Sequence, residues 1–155
     1  QPVYFIKGQV IEPLDLHLDA YLVVGDSGKM GHTLEAVSDV ATLYQNQQDA
    51  RFWIKELGDL TRQVKKYLAS GQVQALGQVM NQAHLLLQKL GVSDEKLDYL
   101  VDVAQVQGAL GAKLTGGGRG GCMIALAANQ HQAEKIAQAL ERAGACQTWI
   151  QYLGE

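Results

Sequence analysis

Six consecutive residues, Gly116-Gly117-Gly118-Arg119-Gly120-Gly121, carry the clearest chemical potential in this sequence. Glycine lets each backbone N–H turn inward, including through φ > 0 conformations, so such a loop can form a concave nest of donors for an anion. Arg119 adds a charge and a planar fork of donors. The letters formally match G-x-G-x-x-G, but a dinucleotide fingerprint must open a helix, and Cys122-Met123-Ile124-Ala125-Leu126 reads as a strand. No G-x-x-x-x-G-K-[ST] occurs, so this is not a Walker loop. On its residues alone the loop is either an anion nest or a wide turn that needs glycine for shape.

Other reactive side chains are scattered. His84 sits beside the apolar stripe of its segment and reads as a packed histidine with its polar atoms satisfied. Asn81 and Gln82 either cross between helices or reach toward a cleft. Lys113 precedes the loop and could feel an anion there, although a single lysine on a strand is usually solvated. Arg62, Lys65 and Lys66 form a small cationic patch that reads as a wet helix face. Asp26 stands near glycines, which is no reason to make it a catalytic base. Cys122 and Cys146 are far apart, with no CxxC or His-spaced pattern, so they read as reduced core thiols and no metal site is expected.

The elements that must position these residues follow from periodicity. Val3 to Ile11 and Asp19 to Asp26 are extended runs separated by Glu12-Pro13, where Pro13 has no N–H for a ladder. Gly25-Asp26-Ser27-Gly28 breaks the second run, and Gly31-His32-Thr33 leads into a helix with Leu34, Val37, Ala41 and Tyr44 on one face. Thr33 before Leu34 could be its N-cap. Trp53, Leu57, Leu60, Val64 and Tyr67 form the stripe of a second helix ended by Ser70-Gly71. Val73, Leu76, Met80, Ala83, Leu87 and Leu90 form that of a third, stopped by Gly91. A short connection makes these two antiparallel neighbours. Ser93 is a good N-cap for a helix burying Leu97, Leu100, Val101 and Ala104, and Asn129 caps a last one bearing Ala133, Ile136, Ala137 and Leu140. The terminal strand runs from Cys146 to Leu153. Strands at both ends and helices between them predict an α+β layer, ferredoxin-like in its core, with helices covering one face of a small, largely antiparallel sheet.

Composition bounds the rest. With 155 residues, 47% hydrophobic and 19% charged, the chain suits one packed domain. A net charge of −3 removes the attraction to phosphate backbones on which nucleic-acid binders rely. No apolar stretch approaches the roughly 20 residues that cross a bilayer, and Gln1 to Val10 lacks a signal peptide's basic and apolar regions. Neither nucleic acid nor membrane is an expected partner, and a cytoplasmic location is expected. There is no starter Met, and the chain opens directly on Val3-Tyr4-Phe5-Ile6, so a preceding segment is expected.

In its context, Gly111-Ala112-Lys113-Leu114-Thr115 followed by Gly116 to Cys122, the loop resembles the third conserved motif of the kinases named for galactokinase, homoserine kinase, mevalonate kinase and phosphomevalonate kinase. Met80-Asn81-Gln82-Ala83-His84-Leu85-Leu86 with Leu90-Gly91-Val92-Ser93 and Leu97-Asp98, and Gly25-Asp26-Ser27-Gly28 with His32-Thr33-Leu34-Glu35-Ala36-Val37, resemble the mevalonate kinase branch. The resemblance covers essentially the whole chain. It departs at Gly117, where that loop often has alanine, and at Arg119, where it has glycine.

The resemblance implies a GHMP-kinase C-terminal domain over 19–155, with 1–18 as strands continuing from an absent N-terminal kinase domain. It implies transfer of the γ-phosphoryl group of ATP, with Mg2+, to the primary hydroxyl of mevalonate. The lysine, the nucleotide loop and the proposed catalytic aspartate belong to the N-terminal half, so no catalytic residue is assigned here and this chain alone is expected to be inactive. Gly116, Gly117, Gly118, Arg119, Gly120 and Gly121 become the phosphate-side wall. Thr33 becomes a substrate-side candidate. Expected partners are mevalonate, ATP and the N-terminal half, with homodimerisation left open. The alternatives are a free-standing anion-binding or regulatory domain, or another member acting on phosphomevalonate or homoserine.

Overall fold

Two short strands, β1 (Val3–Tyr4) and β2 (Glu12–Pro13), form a small antiparallel ladder that pairs Val3 with Pro13 and Tyr4 with Glu12. The computed structural model describes residues 2–154. The single extended run expected from Val3 to Ile11 is therefore wrong: the chain leaves the strand after Tyr4, turns through Gly8 at φ +85°, and returns on the residues read as a separator. Proline is tolerated there because a two-residue edge ladder does not need its missing N–H.

The main sheet begins with β3 (Tyr21–Asp26). Four helices follow in one long crossover: α1 (Thr33–Asn46), α2 (Gln48–Ser70), α3 (Val73–Lys89) and α4 (Glu95–Val106). The chain re-enters the sheet as the hairpin β4 (Gly111–Thr115) and β5 (Cys122–Ala127), crosses again through α5 (Gln130–Arg142), and ends in β6 (Gln147–Tyr152). The order is β4-β5-β3-β6 with every neighbour antiparallel, so the ferredoxin-like expectation is met.

Side-chain alternation assigns the layers. Val23, Ala112, Leu114, Met123, Ala125 and Ala127 point to one face, where they pack on Leu97, Leu100 and Val101 of α4 and on Ile136 and Leu140 of α5. Each fully buried leucine or isoleucine there contributes about 1.5–3 kcal/mol through removal from water. Leu126 and Ile124 point the other way, onto Leu18, Ala20, Leu76 and Met80. Helices therefore lie on both faces, not one, because the α2–α3 hairpin has its own apolar seam of Leu60, Val79, Ala83 and Leu86 and leans over the second face. Lys65 of α2 holds the β1–β2 ladder by pairing with Glu12 and lying 4.8 Å from the Tyr4 ring centre, so it is not simply solvated.

Local chemistry terminates the helices largely as read. Gly71 ends α2 in a left-handed conformation, and the Asn129 side chain caps α5 by accepting from the Gln132 N–H at 2.8 Å. At α4 the cap is Asp94, which accepts from the Leu97 N–H at 2.9 Å, while Ser93 instead donates to Asp98 at 2.6 Å. The stripe assigned to α1 is also wrong. Leu34 is 88% and Val37 61% exposed, and Ala36, Val40 and Leu43 face inward. The small Ala36 lets the start of α1 settle near Val92, and that docking sets the helix's rotation.

Candidate functional site

The β4–β5 turn and the segment from β3 to α1 interlock. Gly121 donates to the Lys29 carbonyl at 2.8 Å and accepts from the Ser27 N–H at 2.9 Å, and the Arg119 N–H donates to the Val92 carbonyl at 2.9 Å. Gly118 has φ +77°, and a Cβ there would run into the Val92 carbonyl. A Cβ on Gly120 would stand 2.6 Å from the Met30 carbonyl oxygen, and one on Gly117 would overlap Thr33, with its Cβ at 2.7 Å. Contacts closer than 3.0 Å force a shift, so the fixed carbonyls require glycine at 118 and 120, while at 117 a side chain must displace Thr33. Gly116 and Gly121 have φ of +82° and +76° and open space around them.

The two readings of the loop are thus compatible. Gly31, Thr33, Thr115 and the loop glycines enclose a recess of about 340 Å³. None of the hydrogen bonds among the described residues uses the Gly117 or Gly120 N–H. Those two donors have no protein acceptor among the described residues, and the start of α1, with its partial positive charge, borders the same recess.

Thr33 is the first residue of α1 and not its cap; His32 occupies the cap position, without a side-chain hydrogen bond. No hydrogen bond among the described residues engages the Thr33 hydroxyl, which lies against Gly117 at the rim of the recess. Arg119 behaves differently from the expectation of a free anion fork. Its Nε donates to the Gly91 carbonyl at 3.0 Å, and its Nη1 reaches Glu35 at 3.3 Å and Asp39 at 2.5 Å. Glu35, Asp39, Lys29 and Val92 belong to this neighbourhood. Nothing in their spacing marks them, because each enters through a contact between distant segments.

The polar residues of α3 turn out to be structural. His84 is only 3% exposed: its Nδ1 accepts from the Leu114 N–H at 3.2 Å, which leaves Nε2–H to donate to Asp98 at 2.9 Å. Burial outweighs the Asp98 carboxylate and holds the imidazole below its ordinary pKa. The Asn81 side-chain oxygen accepts from the Ala112 N–H at 2.9 Å and from Gln105 at 2.8 Å, so Asn81 is the crossing between elements, while Gln82 is exposed. A close approach makes this stitching possible: a Cβ on Gly77 or Gly111 would collide with the backbone of the other element.

Lys113 and the cysteines depart from their expected settings. Lys113 is neither solvated nor at the loop: it lines an apolar cavity of about 500 Å³ between the sheet and the α2–α3 hairpin, and its Nζ donates to the Leu114 carbonyl at 2.6 Å. Burial pushes its pKa down. Cys122 is half-buried and Cys146 exposed, so neither is a core thiol, and both flank Asp26. Desolvation and the Asp26 carboxylate raise both thiol pKa values, which disfavours the thiolate and hence nucleophilic use. The Asp26 carboxylate itself accepts from the Gly28 N–H at 2.9 Å, as the turn after β3 requires.

Comparison with known proteins places these features. A family profile described as "GHMP kinases C terminal" matches residues 64–146. The mevalonate kinase of Pyrococcus furiosus is 41% identical over 148 residues, 92% of this chain and 43% of that protein's length. The solved structure of L. major mevalonate kinase in complex with R-mevalonate matches with a TM-score of 0.83 at 35% identity, over 96% of this chain and 47% of that one. Mevalonate kinase from methicillin-resistant Staphylococcus aureus gives 0.76 at 34% identity, over 99% and 48%. The chain spans less than half the length of these relatives.

Proposed function

This chain belongs to the GHMP kinases, as their C-terminal domain, and from that premise we propose that it is the C-terminal part of an ATP-dependent mevalonate kinase. The observation that carries the reading is the recess in which an unpartnered Thr33 hydroxyl lies against the glycine loop, in a chain 41% identical to a mevalonate kinase. We take residues 1–18 as the lead-in from the remainder of the protein and 19–155 as the domain proper.

The residues fit the phosphate end of a nucleotide reaction. Backbone donors fixed by the interlocked turns stabilise negative charge without reorganising when it develops. Phosphoryl transfer depends mostly on positioning and charge stabilisation, so a wall without an acid or base can still contribute. The Thr33 hydroxyl would donate to a phosphate oxygen or to the acceptor substrate and hold the two in register. ATP would supply the phosphoryl group, and magnesium would neutralise its oxygens. The resemblance to the mevalonate kinases assigns the magnesium ligands and the base to the rest of the protein.

The test is ADP release by the complete protein with ATP and magnesium, offered mevalonate, phosphomevalonate, homoserine and galactose in parallel. Turnover on mevalonate alone is expected. Turnover on another acceptor would keep the mechanism and replace the substrate. No turnover on any of the four would favour an anion-binding domain. The 155-residue chain by itself is expected to release no ADP.

A further inference from the structure

Arg119 has φ +51°, the one non-glycine residue with positive φ among the described residues. An L side chain is disfavoured there, and the resemblance puts glycine at this position. What offsets the disfavoured backbone is a set of long-range bonds. The Arg119 N–H and Nε hold the Val92 and Gly91 carbonyls in the α3–α4 turn, and Nη1 holds Glu35 and Asp39 on α1. The side chain is 23% exposed, against 66% and 55% for its two acids. We propose that Arg119 is a latch: it ties the glycine loop to the first turns of α1 and so fixes the separation between the loop's free N–H groups and the Thr33 hydroxyl.

The latch explains three things together. Thr33, Glu35 and Asp39 share one helix, so holding the acids holds the threonine. The guanidinium lies between the loop and two carboxylates that would otherwise stand uncompensated near an anion site. Its planar fork can bond a carbonyl and two carboxylates at once, which a lysine ammonium on a flexible stem does poorly. Arg119 is therefore a positioning residue that need not touch phosphate. Its kinetic consequence rests on the kinase reading, but the latch itself does not.

Two measurements on the complete protein separate these. In hydrogen exchange, Arg119→Gly restores an unstrained backbone yet removes the side-chain bonds. The hydrogen-bonded amides at positions 119 and 121 and those of 36–38 should exchange at least about tenfold faster, as local opening becomes easier. Glu35→Gln with Asp39→Asn should give a smaller acceleration, and 0.5 M salt should speed exchange in the wild type but not in Arg119→Gly. Exchange within about twofold of wild type in Arg119→Gly overturns the latch, whatever the protein phosphorylates. In steady-state kinetics, Arg119→Gly should lower kcat about tenfold with KM for ATP changed by less than about threefold, and Arg119→Lys should recover part of kcat. A loosened loop with unchanged kcat overturns the positioning role. If no acceptor is turned over, the kinase reading has failed and the exchange result still decides the latch.

Discussion

Replacing His84 by leucine tests whether the signature segment of α3 acts as a structural joint. The imidazole accepts from the Leu114 N–H and donates to Asp98, joining α3 to both β4 and α4. Leucine fills a similar volume, so little cavity opens, but the buried Leu114 N–H loses the imidazole acceptor it has among the described residues. An unsatisfied buried donor costs about 1–3 kcal/mol. The lost bond to Asp98 adds about 1 kcal/mol or less, because that side chain is 36% exposed and water can replace the imidazole. The expected destabilisation is about 1–4 kcal/mol, a fall in the urea midpoint of about 0.5 M or more for an m-value of about 2 kcal/mol/M.

The pH dependence checks the same joint independently. Burial lowers the folded-state pKa below the ordinary 6.5, so between those two values the unfolded chain binds more protons. The His84 contribution is fully present above pH 6.5 and is lost as pH falls through that window toward the folded value. His84→Leu should be less stable at neutral pH and should lack this part of the acid slope. A midpoint within about 0.3 M of wild type, with an unchanged slope, would refute the joint.

Gly118→Val should lower kcat/KM of the complete protein by about a hundredfold or more. A β-branched residue at positive φ whose Cβ meets the Val92 carbonyl must move the loop, and a displacement of about 1 Å at such a site costs that much; kinetics near wild type would reduce the loop to a turn. Thr33→Val removes a hydroxyl that has no protein partner among the described residues. It should leave thermal stability unchanged within about 0.5 kcal/mol while reducing kcat/KM about 10- to 100-fold, the worth of a hydrogen bond to a charged group. Thr33→Ser should retain most activity, and equal losses in both variants would refute a role for the hydroxyl.

Residue type and spacing alone determined the helices α2 to α5, the strand that became β3, and the glycine turn between β4 and β5. Apolar stripes at helical spacing and glycines at chain reversals are local signals, and they survived folding because no distant contact opposed them. The kinase resemblance was carried by segments read in order along the chain. The residues that decided the site geometry were silent for the opposite reason. Arg119 looked like an anion fork until Glu35 and Asp39, some 80 residues away in sequence, claimed its guanidinium. Lys113 looked solvated until the α2–α3 hairpin closed over the second face of the sheet. The buried face of α1 depended on where its first turn meets the loop, and its sequence offered two stripes of similar apolarity. Period and propensity are properties of neighbours along the chain. Which donor meets which acceptor across the α1, α3 and β4–β5 junction is a property of packing, and only the tertiary structure supplied it.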